Sequence, residues 1–151
     1  MTQRVRVEQS VEVDAPAAAV WAYVTDWERH GDWIPPTRVE TIGGAARGVG
    51  GKLRAWSGIG PVGFWDPLTV TEWAEHEDGG GRCVLVHTGK LVKGDAVITV
   101  TALSDQRSNL QWLEFFDLGR VGRLAWRVGG GPMAGVLGRA LQRLAAIVER
   151  P

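Results

Sequence analysis

Three titratable side chains sit inside runs of large apolar residues. Leu110, Trp112, Glu114, Phe116 and Leu118 are spaced two apart, so in a strand they share one side and Glu114 is the only charge on it. Phe64, Asp66, Leu68 and Val70 repeat the arrangement around Asp66, and Cys83, Leu85 and His87 make a third case. A carboxylate in such surroundings loses hydration, which favours its neutral form and suits it to general acid or base work. A neutral Glu114 can donate a hydrogen bond to a ligand carbonyl, and its conjugate base can take a proton from the adjacent carbon. Two placements fit each of the three residues. One is the wall of a cavity; the other is the edge of a twisted sheet, where the group reaches water or an arginine. Hairpin loops of two or three residues place Glu114 opposite Ile98, with His87 one strand further on, roughly 10 Å away at ~4.8 Å per strand. One residue of slip turns His87 to the solvent face.

Other chemistries find little support. Ala46-Arg47-Gly48-Val49-Gly50-Gly51-Lys52-Leu53 approximates a phosphate loop, but Ala46 replaces the first glycine and Leu53 the metal-binding hydroxyl. Gly58-Ile59-Gly60-Pro61-Val62-Gly63 has the glycine spacing of a dinucleotide loop, yet a strand follows it where a helix is needed. No HExxH or Cys–His spacing occurs, and His30, His76 and His87 lie far apart, so a metal is not expected. Gly-x-Ser-x-Gly is absent as well, which leaves a serine hydrolase without its nucleophile.

The elements that must position these residues follow from periodicity. Val5, Val7, Val11 and Val13 alternate with polar residues, a strand with one wet face. Asp14 offers an N-cap, Pro16 sits in a first helical turn, and residues 15–27 read as a short amphipathic helix through Val20, Val24 and Trp27. A second helical turn over Glu28–Trp33 ends at Pro35-Pro36. Six strands follow: Thr37–Ile42, Lys52–Ser57, Phe64–Glu75, Arg82–Leu91, Asp95–Leu103 and Asn109–Leu118, joined by hairpin-length links that imply an antiparallel meander. Met133, Leu137, Leu141, Leu144 and Val148 form a stripe at helical spacing, for which Gly129-Gly130-Gly131-Pro132 is a natural start; residues 121–128 read either as an earlier turn of that helix or as an irregular lead-in. The fold class is therefore α+β, a seven-stranded antiparallel sheet around a long C-terminal helix. A curved sheet closing on one helix leaves a gap between them, which is where a ligand would go.

Composition agrees with one domain spanning residues 1–151. The 151 residues are 44% hydrophobic and 23% charged, a globular mixture. Seventeen basic residues balance seventeen acidic ones, which argues against nucleic-acid binding. No apolar run is long enough to span a bilayer, and the first residues lack a signal-peptide core. The lone Cys83 permits no internal disulfide. These features lead to the expectation of a cytoplasmic protein with no cofactor, no metal and no integral membrane association. Eight tryptophans and 21 glycines suit a domain that surrounds a cavity, and equally suit core packing and turns.

The element order and several local motifs resemble the helix-grip superfamily of START-related lipid-binding domains, birch-pollen-allergen-like proteins and bacterial polyketide cyclases/dehydrases. Val13-Asp14-Ala15-Pro16-Ala17-Ala18-Ala19-Val20-Trp21 is similar to that group's strand-to-helix entry. Thr25-Asp26-Trp27 to Asp32-Trp33 resembles its second helix, and Val39-Glu40-Thr41-Ile42-Gly43-Gly44 leading into Gly48-Val49-Gly50-Gly51-Lys52 resembles its glycine-rich loop. The likeness covers essentially the whole chain and is specific for fold more than for function.

Three functions fit this architecture. The first is binding or transport of a hydrophobic or aromatic small molecule, lipid- or polyketide-like. The second is a polyketide cyclase/dehydratase in which Glu114 works with His87 or Asp66. The third is a protein-interaction module with a vestigial cavity. Candidate lining residues are Trp33, Trp56, Phe64, Trp112, Phe116, Met133, Leu137 and Leu141, with the Gly43–Gly51 loop and Gly129–Gly131 as rims at the entrance. The arginines from Arg120 to Arg150 read as a solvated helix face or as a contact for an acidic surface.

Overall fold

Seven strands pair in the order β1-β7-β6-β5-β4-β3-β2, every pair antiparallel, in the computed structural model, which describes residues 2–151. The strands are β1 (Gln3–Val13), β2 (Arg38–Ile42), β3 (Lys52–Ile59), β4 (Val62–Glu75), β5 (Gly81–His87), β6 (Gly94–Ser104) and β7 (Arg107–Leu118). Between β1 and β2 lie helix α1 (Ala17–Val24), a 3₁₀ turn (Trp27–Arg29) and the short α2 (His30–Trp33); α3 (Arg120–Val148) closes the chain. β1 pairs with β7, so the first and last strands meet at one side of the sheet.

Local details depart from sequence-based expectation at several points, α1 among them, which ends at Val24 and leaves Trp27 to the 3₁₀ turn. Asp14 does not cap α1, where Pro16 takes the N-cap position; its carboxylate accepts from Arg107 Nε at 3.2 Å instead. β5 stops at His87 and does not reach Leu91. α3 begins at Arg120 and runs through Gly129-Gly130-Gly131-Pro132. Glycine at 130 leaves room for a large ring on the helix surface. Trp126 lies over it, and a Cβ there would come 2.8 Å from the indole ring. Trp126 in turn packs on Phe116 of β7 with ring centroids 5.8 Å apart, which fastens the first half of α3 to the sheet. No helix of the described residues is long and apolar enough to cross a membrane.

The core is unevenly filled along the sheet. Leu110 and Trp112 of β7, Ile98 and Val100 of β6, and Cys83 and Leu85 of β5 are buried against Leu141, Leu144, Val20, Val24, Trp27 and Trp33. Further along β7, towards Glu114 and Phe116, burial becomes partial and the opposing part of α3 carries Met133 and Val136, both exposed. One end of the sheet–helix interface is solid and the other stands open.

Two β-bulges set which side chains face that opening. The β6–β7 hairpin closes with Ser104 opposite Arg107, a pairing that if continued would put Val97 opposite Glu114. A bulge between Ala102 and Ser104 shifts the register, and Ala96 stands there. Glu114 is thus opposite Ala96, and Ile98, its expected partner, pairs with Trp112. Strand β4 does the same: continuing from Glu75 opposite Gly81 would set His87 against Thr69, but the shift between Val70 and Glu72 sets it against Leu68. Asp66 and Leu68 then share the inner face with His87.

Candidate active site

A cavity of about 360 Å3 occupies the open end between the sheet and α3. Its wall is mostly apolar: Phe64 and Leu68 of β4, Leu85 of β5, Trp112 and Phe116 of β7, and Met133, Val136 and Leu137 of α3 contribute, among others. Asp66, His87 and Glu114 also line it, together with His30 from α2. A separate recess of about 580 Å3 is bounded by Gln3, Val5, Arg120, Arg123, Leu124, Trp126 and Arg127, and none of the three embedded titratable groups reaches it.

Asp66, His87 and Glu114 form a chain. His87 Nδ1 lies 2.7 Å from Asp66 Oδ2, a hydrogen bond, and His87 Nε2 lies 3.6 Å from Glu114 Oε2. Trp112 Nε1 donates to the other Glu114 oxygen, Oε1, at 2.9 Å, which fixes the carboxylate plane from the neighbouring inner-face position. The spacing depends on what stands between. On β6 the residue between Leu85 and Glu114 is Ala96, and the residue opposite Phe116 is Gly94, which has no side chain. His87 therefore reaches across the strand without obstruction. A Cβ at Gly94 would come 1.8 Å from the Phe115 carbonyl oxygen, and its φ of +136° is closed to most other residues.

Burial alone would pull the His87 pKa down, because the imidazolium loses hydration. The hydrogen bond to Asp66 and the carboxylate of Glu114 outweigh that loss, and the pKa is pushed up to about 9. At neutral pH His87 is an imidazolium between two carboxyl groups, its side chain only 7% exposed. His30 is the opposite case. Full burial pushes its pKa down to about 4, although Nε2 donates to the Val24 carbonyl at 2.8 Å, so it stays neutral. Burial also pushes the Cys83 thiol up to about 12, leaving it unreactive. Asp66 Oδ1, His87 Nε2 and Glu114 Oε2 are all buried without a hydrogen-bond partner. Among the described residues no group of three or more His, Cys, Asp or Glu side chains is arranged to hold a metal ion.

Of the expected lining residues, Phe64, Trp112, Phe116, Met133 and Leu137 stand at the cavity wall, where Asp66, His87 and Glu114 join them. Trp33, Trp56 and Leu141 do not. Trp33 is fully buried behind the wall, edge-on to Trp112 with centroids 5.6 Å apart. Leu141 is fully buried one turn beyond Leu137, inside the solid half of the core. Trp56 lies on the other face of β3, because Leu53, Ala55 and Ser57 take the inner positions; it packs against Trp65, its partner on β4. Neither glycine segment is among the residues that line the cavity. Gly43–Gly51 is tied down by the Gly50 N–H to the Val70 carbonyl and by Trp27 Nε1 to the Ala46 carbonyl, and Gly129–Gly131 is helical. Sequence reasoning missed Trp27, His30, Val39 and Leu53. Val39 and Leu53 were accessible from strand parity once Leu68 was taken as inward, whereas His30 carried no periodic signal.

Fold and site together define a helix-grip protein with an apolar cavity and a titratable cluster in its wall. The chain belongs to the family described as polyketide cyclase/dehydrase and lipid transport, whose pattern it matches over residues 4–149. A comparison with the curated proteins finds no match. Among solved structures it is similar to the Zhui aromatase/cyclase from a Streptomyces species, at 19% identity and a TM-score of 0.74 over 98% of this chain and 95% of that one. It is also similar to a truncated norcoclaurine synthase from Thalictrum flavum, at 17% identity and a TM-score of 0.69 over 99% and 96%. A START superfamily protein from Mycobacterium smegmatis matches at 19% identity and a TM-score of 0.65 over 95% and 94%. At these identities the likeness is one of fold.

Proposed function

We propose that the cavity binds a hydrophobic, polyketide-like molecule and that the protein dehydrates or cyclises it by proton transfer, in the manner of a polyketide cyclase/dehydratase. The observation that carries this reading is the Asp66–His87–Glu114 chain inside an otherwise apolar wall. A protein that only carried its cargo would need the apolar wall; buried, partly unsatisfied charges cost it stability without helping it hold an oily ligand. Such groups gather where proton transfer is required.

The chemistry can be written for a β-hydroxy ketone. Glu114 takes the proton from the carbon next to the carbonyl, and His87 gives the Nε2 proton to the leaving hydroxyl. The C–H and C–O bonds break, a C=C bond forms, and water departs. Glu114 then returns its proton to His87 across the 3.6 Å gap, restoring the site. Asp66 holds the imidazole in place and stabilises its charged form. This assigns the acid role to His87, where burial of Glu114 alone had suggested that residue.

The test uses the aldol adduct of benzaldehyde and acetone, whose dehydration to benzylideneacetone is followed by ultraviolet absorbance. Acceleration by the protein is expected, with Glu114→Gln and His87→Gln each losing on the order of 100-fold. Equal rates with wild type and both variants would leave binding or transport as the function.

A further inference from the structure

We propose that the ligand of this cavity presents an uncharged hydroxyl to the gap between His87 Nε2 and Glu114 Oε2, and that the site rejects carboxylate-headed lipids such as fatty acids. The inference deepens the functional reading above, resting on its premise that His87 and Glu114 face the ligand.

The gap has a defined hydrogen-bond character. His87 Nε2 and Glu114 Oε2 are 3.6 Å apart, too far to satisfy each other, and both are buried without a partner. With Nδ1 bonded to Asp66, the imidazolium has one remaining donor, at Nε2. With Oε1 occupied by the Trp112 indole N–H, Glu114 has its other oxygen free to accept. A group that satisfies both atoms must accept from one side and donate to the other. A hydroxyl does both. A ketone or ether oxygen only accepts and leaves Oε2 unpaired, and an ammonium only donates and faces the imidazolium with the same charge.

Electrostatics exclude the anionic alternative. Among the described residues no lysine or arginine lines the cavity; the titratable groups there are Asp66, Glu114, His87 and the buried neutral His30. Two carboxyl groups already share one imidazolium. A ligand carboxylate would add a further negative charge in an apolar enclosure with no cation left to meet it. The arginines of the first half of α3 cannot serve, because Arg120, Arg123 and Arg127 open onto the separate recess.

Calorimetric titration at neutral pH with four naphthalene-ring compounds tests this: naphthylmethanol, methylnaphthalene, naphthoate and naphthylmethylamine. The alcohol should bind tightest, with methylnaphthalene about tenfold weaker for leaving both polar atoms unpaired. Naphthoate should be weaker than the alcohol by about 100-fold or more. Glu114→Gln should narrow the naphthoate deficit by about tenfold while leaving methylnaphthalene within about twofold; circular dichroism confirms that the variant is folded, and Glu114→Ala serves if it is not. Naphthoate or the amine binding as tightly as the alcohol, or a deficit unchanged in the variant, overturns the proposal. So does failure of all four to bind, since a cavity of about 360 Å3 with this wall should accept the bare ring. Because these titrations involve no turnover, selectivity without dehydration would defeat only the catalytic reading, and dehydration without selectivity only this one.

Discussion

His87 is held by two unequal neighbours, and its titration separates their contributions. The Asp66 hydrogen bond is short and direct, while Glu114 acts across 3.6 Å. Carbon-detected or long-range proton–nitrogen NMR should find an imidazole titrating near 9. Asp66→Asn should bring it down further than Glu114→Gln does; a larger drop from Glu114→Gln would reverse the roles assigned to the two carboxyl groups. Trp112 supplies the other positioning contact at this scale. Trp112→Phe keeps a ring in the wall but removes the N–H that holds Glu114 Oε1. Dehydration should slow by about tenfold, in line with one lost hydrogen bond to a charged group, with ligand affinity nearly unchanged. An affinity loss that matched the rate loss would mean that Trp112 acts as wall only.

Among the elements, α3 divides its work by halves. Leu141 and Leu144, fully buried in the second half, hold the helix to the core. Leu141→Ala should cost roughly 3 kcal/mol in denaturant unfolding and leave the affinity of a cavity ligand little changed. A large affinity change with little loss of stability would restore Leu141 to the cavity wall. On β6, Gly94 lies tight against the Phe115 backbone of β7, and it adopts a backbone conformation that disfavours a side chain. Gly94→Ala should destabilise by at least about 1 kcal/mol and move the β6–β7 pairing at Phe115, visible as shifted amide resonances there. A variant as stable as the parent would show that this stretch of β6 yields easily.

For the molecule as a whole, two histidines act on stability from opposite sides of neutrality. Against an unfolded value near 6.5, the His87 pKa is raised, so its contribution is full below about pH 6.5 and disappears as pH climbs through about 9. That difference corresponds to roughly 3 kcal/mol. The His30 pKa is lowered, so the unfolded chain takes up a proton that the folded one refuses, and stability falls as pH drops from about 6.5 through about 4. Unfolding free energy should therefore peak near neutrality. His87→Leu should flatten the alkaline limb and leave the acidic one; an unaltered alkaline limb would place its cause elsewhere.

Strand periodicity alone put Glu114, Asp66 and His87 on apolar faces, and helical spacing of Met133, Leu137, Leu141 and Leu144 marked the helix that covers them. Those patterns are local, which is why element order and fold class were legible along the chain. Whether the three side chains meet was not, because one residue of register decides which face a strand turns inward. The bulges beside Thr71 and Leu103 settle it, and a bulge is an agreement between two strands that neither strand's own pattern encodes. Trp56 shows the same limit, being a large ring that parity sends to the outer face. Sequence thus determined the elements and the stock of chemistry they carry. Only the tertiary structure brought His87 within 3.6 Å of Glu114 and within hydrogen-bonding distance of Asp66, because that meeting needs strands far apart in the chain to pair in one particular register.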